Sequence, residues 1–98
     1  MPVFMIERNY AEKLEVSPDG ATIINEINDE ESVRWLLSFL SIDKKKTFCL
    51  YEAPSADAIR TTAERAGIPA DVIVEVAEEI MPSGNTSALK IERYTELS

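Results

Sequence analysis

The chain has 98 residues, and its content of 45% hydrophobic and 29% charged residues is typical of a single folded domain rather than a disordered chain. Eighteen acidic and 10 basic residues give a net charge of −8, which disfavours nucleic acid and anionic membrane surfaces as partners and favours cations. The absence of histidine excludes a histidine-based catalytic triad and histidine metal ligands. One cysteine excludes an intrachain disulfide, and the short apolar start lacks a basic leader, so we expect a cytoplasmic protein.

The first half of the chain predicts a strand, a helix and a second strand. Residues 3–8 are rich in strand-forming side chains. Ser17 is a suitable N-cap and Pro18 a suitable first helical residue, so a helix should begin there and end near residues 28–32. Residues 33–43 alternate apolar side chains, with leucines between them, which predicts a strand that is apolar on both faces.

The second half predicts a strand, a helix and another strand. A basic turn leads into residues 47–53, a clear strand that forms a hairpin with its predecessor. Ser55 is a good N-cap for a second helix, and Gly67 is a natural residue to end it. Residues 72–77 then predict a fourth strand.

This order predicts an α+β fold of the ferredoxin-like type, β-α-β-β-α-β. Four antiparallel strands form one sheet, the first strand lies between the third and the fourth, and both helices cover one face. We expect residues 1–80 to form this domain. Residues 81–98 form a C-terminal extension, with a turn followed by an edge strand or a short helix at 88–97. The uncovered face should pair with a second copy in a homodimer.

Alternation of side chains divides the strands into two sets, one for each face of the sheet. The more apolar set is predicted to lie under the helices: Phe4, Ile6, Phe48, Leu50, Val72, Val74 and Val76. The mixed set is predicted on the open face: Met5, Glu7, Thr47, Cys49, Tyr51, Ile73 and Glu75. Trp35 and Leu37 are expected to join the mixed set. Arg8 and Arg34 can neutralise acidic neighbours, and the sequence does not decide which.

The predicted open face carries the candidate site. Glu7, Cys49 and Glu75 are candidate metal ligands, because carboxylates and thiolates bind cations without histidine. Trp35 and Tyr51 are candidate walls for a small ligand or cofactor. Each has a plain structural alternative: Cys49 as a small buried residue, the two glutamates as polar positions at a strand end or dimer rim, and the aromatic residues as packing.

Residues 34–76, with their motif C-L-Y-E-A-P-S at 49–55, resemble a family of small bacterial ferredoxin-like proteins. The shared pattern is close to V-x-W-x-x-S-x-x-x-x-D-x-x-K-x-x-C-L-Y-E-A-P-S, followed by I-x-x-x-A-x-x-A-G-x-P-A-D-x-I-x-E-V, and the start PVFMIER is also similar. The resemblance covers roughly residues 1–77. It implies a dimeric fold, and one member of the family is described as a nickel-binding protein. Without histidine, a nickel site in this chain needs Glu, Asp, Cys or backbone ligands.

The sequence therefore predicts a dimeric protein that binds a small ligand or a metal cation in a cavity on its open sheet face. Two alternatives stay open. One is a small cofactor-independent enzyme of the dimeric α+β barrel type, although the lack of histidine counts against catalysis. The other is a structural or interaction protein without a ligand site.

Overall fold

A computed structural model describes residues 1–95 of the chain. It contains six strands and three helices within that range: β1 Val3–Asn9, α1 Pro18–Glu30, β2 Arg34–Leu40, β3 Lys46–Glu52, α2 Ala56–Ala66, β4 Val72–Val76, β5 Glu78–Ile80, β6 Thr86–Ala88 and α3 Ile91–Thr95. The predicted four-stranded antiparallel sheet with helices is confirmed. Part of the segment 88–97 is a short helix rather than an edge strand, and residues 96–97 lie outside the described range. The division into residues 1–80 and 81–98 stays a prediction.

The main sheet has the strand order β2-β3-β1-β4, so β1 lies between β3 and β4. All three pairings in this sheet are antiparallel. The pairing of β2 with β3 contains a bulge, because Trp35 is opposite Tyr51 whereas Leu37 is opposite Leu50. Strands β5 and β6 form a separate two-stranded hairpin.

The predicted helix boundaries rest on local chemistry that is present in the structure. The Ser17 hydroxyl accepts a hydrogen bond from the Gly20 amide at 3.1 Å, and Pro18 opens α1. The Ser55 hydroxyl accepts one from the Ala58 amide at 3.2 Å at the start of α2. Gly67 ends α2 in the left-handed conformation with φ 69°, which glycine adopts at little cost.

Helices α1 and α2 pack on the face of the sheet that carries Phe4, Ile6 and Arg8, which we call the helix-covered face. Ile59 of α2 is fully buried in a core cluster with Phe4 and Ile6 of β1 and with Cys49 and Tyr51 of β3. At the outer surface Arg65 of α2 bridges to α1 through the carboxylates of Glu30 and Glu31.

The strand registers correct the predicted assignment of faces. On β1, Phe4 is opposite Tyr51 and Glu75, and Ile6 is opposite Cys49 and Ile73. These residues therefore share the helix-covered face, together with Thr47 and Trp35. The second face, which we call the open face, is built from the other members of the registers: Met5, Glu7, Leu37, Phe48, Leu50, Val72, Val74 and Val76.

The predicted assignment of side chains to the two faces was right for β1 and for Leu37, but wrong for β3, β4 and Trp35. Its physical basis was that the more apolar set should lie under the helices. Both sets in this sheet are largely apolar, so polarity alone does not fix the register between neighbouring strands.

The C-terminal extension covers part of the open face. Leu89, Ile91 and Tyr94 pack against a buried cluster that includes Val3 and Leu50. The rest of the open face is bare: the side chains of Phe39, Phe48, Val72 and Val74 are between 38% and 62% exposed. The open face is therefore an apolar surface that the described residues of one copy, 1–95, cover at one end.

Within residues 1–95, none of the helices combines the length and the apolar character that a membrane span requires. The cytoplasmic location stays a prediction.

Candidate functional site

The sheet separates the predicted site residues. Glu7 lies on the open face, whereas Cys49, Trp35 and Tyr51 lie on the helix-covered face. Glu75 is an exposed residue on the edge strand β4, on the same side as Cys49. Across the described part of the chain, no three cysteine, aspartate or glutamate side chains converge in a way that could hold a metal ion. The prediction that these ligands share one face is wrong, and their individual roles in metal binding stay predictions.

Glu7 is an acidic group in an apolar surface. Its register partners on the open face are Phe48 on one side and Val72 on the other. Its Oε2 atom accepts a hydrogen bond from Asn9 Nδ2 at 3.3 Å and lies 3.7 Å from Lys46 Nζ. Because Lys46 is well exposed, this ion pair is weak and can be displaced.

Cys49 is a buried free thiol. It is 4% exposed, and its Sγ lies 3.5 Å from Thr47 Oγ1, to which the thiol can donate a hydrogen bond. This environment agrees with the plain alternative of a small buried residue in a central strand.

A pocket of about 430 Å³ lies between the helix-covered face, the first half of α1 and the loop at residues 10–17. Three of the five predicted site residues line it: Trp35, Cys49 and Tyr51. The wall from α1 includes Gly20 and Ile24. This pocket is not the predicted cavity on the open face, which stays a prediction; it lies within one chain on the opposite side of the sheet.

Arg8 is the unexpected member of this pocket. It is 2% exposed, although arginine is rarely buried without a charged partner. Its Nη1 donates a hydrogen bond to the carbonyl oxygen of Pro69 at 2.6 Å, and its guanidinium carbon lies 5.5 Å from the centroid of the Tyr51 ring. Among the ion pairs formed within residues 1–95, none involves Arg8.

Trp35 and Tyr51 form an aromatic wall. Their rings are stacked with centroids 6.3 Å apart and planes 7° apart. The indole Nε1 of Trp35 donates a hydrogen bond to Ser38 Oγ at 2.8 Å, which fixes the ring on β2. The predicted role of these two residues in ligand binding is untested, but the bulge in β2 brings them together beside the cavity.

The two tyrosines of the pocket stay protonated at neutral pH. Burial raises the pKa of Tyr51 to about 12, against the opposing effect of the Arg8 charge. Burial also raises the pKa of Tyr10, with Thr47 and Arg8 acting in the opposite direction. Both phenol groups can therefore donate hydrogen bonds.

Arg8, Tyr10 and Thr47 were not selected as site residues from the sequence. A signal for Arg8 was present, because it follows Phe4 and Ile6 in steps of two and must share their face. Tyr10 and the α1 wall carried no such signal, since their position depends on the path of the loop at residues 10–17.

These features define a small α+β protein, with an antiparallel sheet, two helices on one face with a pocket beneath α1, and a partly bare apolar surface on the other. The chain belongs to the family described as nickel responsive protein SCO4226-like, whose model matches residues 4–76. The resemblance carried by residues 49–55 is thereby confirmed, and β5, β6 and α3 lie outside the matched region.

The fold is also similar to a solved structure, that of SCO4226 from Streptomyces coelicolor A3(2). The two chains are 27% identical and superpose with a TM-score of 0.59, over 76% of this chain and 94% of that one. No curated protein matches the chain.

Proposed function

We propose that the protein is a ferredoxin-like homodimer that binds a divalent cation, with nickel as the first candidate, between the open faces of its two sheets. The family description supports a response to nickel, and the net charge of −8 favours cations. The observation that carries the proposal is the position of the Glu7 carboxylate within a bare apolar surface.

The exposure of that surface supports the proposed dimer. Phe39 and Phe48 are cross-strand neighbours on the open face, and Val72 and Val74 continue the apolar surface on β4. Full burial of one such side chain contributes about 1.5–3 kcal/mol, so burying several of them between two copies would favour pairing against the entropic cost of association. Glu7 and Lys46 would then be enclosed near the contact.

The ligand count also supports a site shared by two copies. A cation site generally needs several protein ligands, and the described residues of one chain bring no three suitable groups together. A two-fold axis near Glu7 would supply two carboxylates, whose mutual repulsion favours a cation between them. Backbone oxygens and water would complete an oxygen-rich site of this kind.

Calorimetric titration with nickel chloride, together with sedimentation equilibrium, tests the proposal. We expect a dimer and saturable binding of one nickel ion per two chains. Glu7→Gln should lower nickel affinity at least tenfold while the protein stays dimeric, because it removes the anionic ligands and keeps their shape. The matched control is Glu64→Gln, at an exposed position on α2.

Zinc, cobalt and copper chlorides extend the titration to other divalent cations. A purely structural role predicts no saturable heat with any of the four metals, and Glu7→Gln would then alter only folding stability and dimer affinity. Nickel binding by a monomer, or equal nickel affinity of the wild type and Glu7→Gln, would refute the proposed site.

A further inference from the structure

We propose that the pocket beneath α1 binds a small organic carboxylate with an apolar body, and that Arg8 holds the carboxylate group. This site is independent of the proposed cation site, because the thickness of the sheet separates the two. Its lining comes from β1, β2, β3, α1, the loop at residues 10–17 and Ile68, all within a single chain.

The charge of Arg8 carries the argument. A buried charge without a partner is costly, and here the partners are a carbonyl oxygen and an aromatic ring, both of which are neutral. A guanidinium has five N–H donors in a planar fork that matches a carboxylate in two-point contact. An anion that enters the pocket would supply a direct charged partner, since no carboxylate oxygen of residues 1–95 lies within 4 Å of the Arg8 nitrogens.

The groups around Arg8 favour an anion over a cation. Tyr10 and Tyr51 are protonated donors, and the Ser38 hydroxyl, which accepts from Trp35, keeps its own proton to donate. Glu15 is the acidic residue of the lining, and it is exposed on the loop at the rim. The Asp71 carboxylate accepts a hydrogen bond from the Asn9 amide at 2.6 Å and is outside the pocket lining.

The remaining walls set the class of ligand. Leu14, Ile24, Leu40 and Ile68 join Trp35 in lining the cavity, so most of its surface is apolar. A volume of about 430 Å³ lies within the range of small-molecule sites, about 300–1,000 Å³. One arginine and an apolar body suit a singly charged carboxylate, whereas a doubly charged phosphate would call for more cationic groups.

Emission from Trp35 provides a direct assay, because Trp35 is the single tryptophan of the chain and lines the pocket. The probes are the carboxylates 3-phenylpropionate and octanoate. The controls 3-phenylpropanol and 3-phenylpropylamine keep the phenylpropyl body of 3-phenylpropionate but carry a neutral and a cationic group, respectively. We expect a saturable change of emission with both carboxylates, at concentrations at least tenfold lower than for the alcohol, and no saturation with the amine. If neither carboxylate saturates, or if the alcohol binds equally well, the proposal is wrong.

Variants of pocket residues test where the carboxylate binds. Arg8→Met should remove the preference for the carboxylate over the alcohol. Ile24→Phe should fill the cavity and weaken 3-phenylpropionate binding at least tenfold, whereas Ile23→Phe, at a neighbouring position of α1 that is 58% exposed, should leave it unchanged. The two phenylalanine variants test the location of the binding site even if Arg8→Met does not fold. Equal binding of 3-phenylpropionate by both would overturn the proposal. Glu7→Gln should not affect carboxylate binding, which separates this test from that of the cation site.

Discussion

Glu7 and Cys49 lie on opposite faces of one sheet, because Cys49 is the register partner of Ile6 and Glu7 is the register partner of Phe48. Ile6 and Glu7 are consecutive in β1, so their side chains point to opposite faces. Glu7 therefore lies on the bare apolar surface, whereas the Cys49 thiol lies beside Ile6 beneath the two helices. The two side chains of one chain therefore cannot bind the same ion, and the proposed cation and carboxylate sites lie on different sides of the sheet.

Cys49→Ala should leave nickel affinity unchanged within about twofold. Its Sγ is buried on the helix-covered face and contacts Thr47, so its loss affects packing, at a cost of roughly 1 kcal/mol in unfolding free energy. Calorimetry with nickel and urea denaturation measure the two effects, with Glu7→Gln as the contrasting variant. A tenfold loss of nickel affinity in Cys49→Ala would instead support the thiol ligand that the sequence suggested.

Phe39→Lys should weaken the dimer at least tenfold, since it places a charge in the apolar surface that is proposed to pair between copies. Phe39 is 62% exposed, so the change should cost the isolated chain little stability. The control is Ile42→Lys, at a fully exposed position on the turn between β2 and β3. Sedimentation equilibrium compares the two, and equal dimer affinity would show that the open face is not the contact.

The unfolding free energy should fall as the pH rises from about 10 to 12. Tyr51 has a pKa of about 12 in the folded protein against an ordinary value of 10.0, so in this interval the unfolded chain releases a proton that the folded chain retains. Its contribution is fully present below pH 10, and the loss amounts to roughly 2 kcal/mol by pH 12. Urea denaturation at pH 8.5 and 11.5 measures the loss, which should be clearly smaller in Tyr51→Phe. An identical loss in both proteins would assign the effect to other groups.

Gly67→Ala should destabilise the protein by about 1–2 kcal/mol, because a residue with a Cβ is strained at φ 69°. Among the described residues beyond its two chain neighbours, no atom lies within 4 Å of the added carbon, so the cost comes from the backbone rather than from a clash. Gly67→Asn is the matched control and should cost less, since asparagine tolerates this conformation. Thermal denaturation of the three proteins measures the difference, and equal losses in both variants would contradict a conformational origin.

The elements of the fold were predictable because their signals are local. Ser17, Pro18 and Ser55 start the two long helices through interactions within one turn, and Gly67 ends the second. The short helix α3 was less certain, because the alternation in residues 88–97 suits a strand as well as a helix. Its docking on the open face depends on contacts with Val3 and Leu50 that are distant in sequence.

The faces of the strands were harder to predict, because register is a relationship between strands. Alternation correctly separated Cys49 and Tyr51 from Phe48 and Leu50. It did not determine which pair lies beside Phe4, since the sheet is apolar on both sides. The same limit concealed the pocket, whose walls include β1, β2, β3 and α1 around Arg8, for which the sequence predicted only that it can neutralise acidic neighbours.

The most direct test of the proposed function is a crystal structure of protein grown with nickel chloride, with diffraction data collected at the nickel absorption edge. The proposal predicts an anomalous peak between the open faces of two copies, coordinated by Glu7 from each, with the pocket beneath α1 free of nickel. A peak beside Cys49 in that pocket, or nickel held by one copy with its open face unpaired, would contradict it.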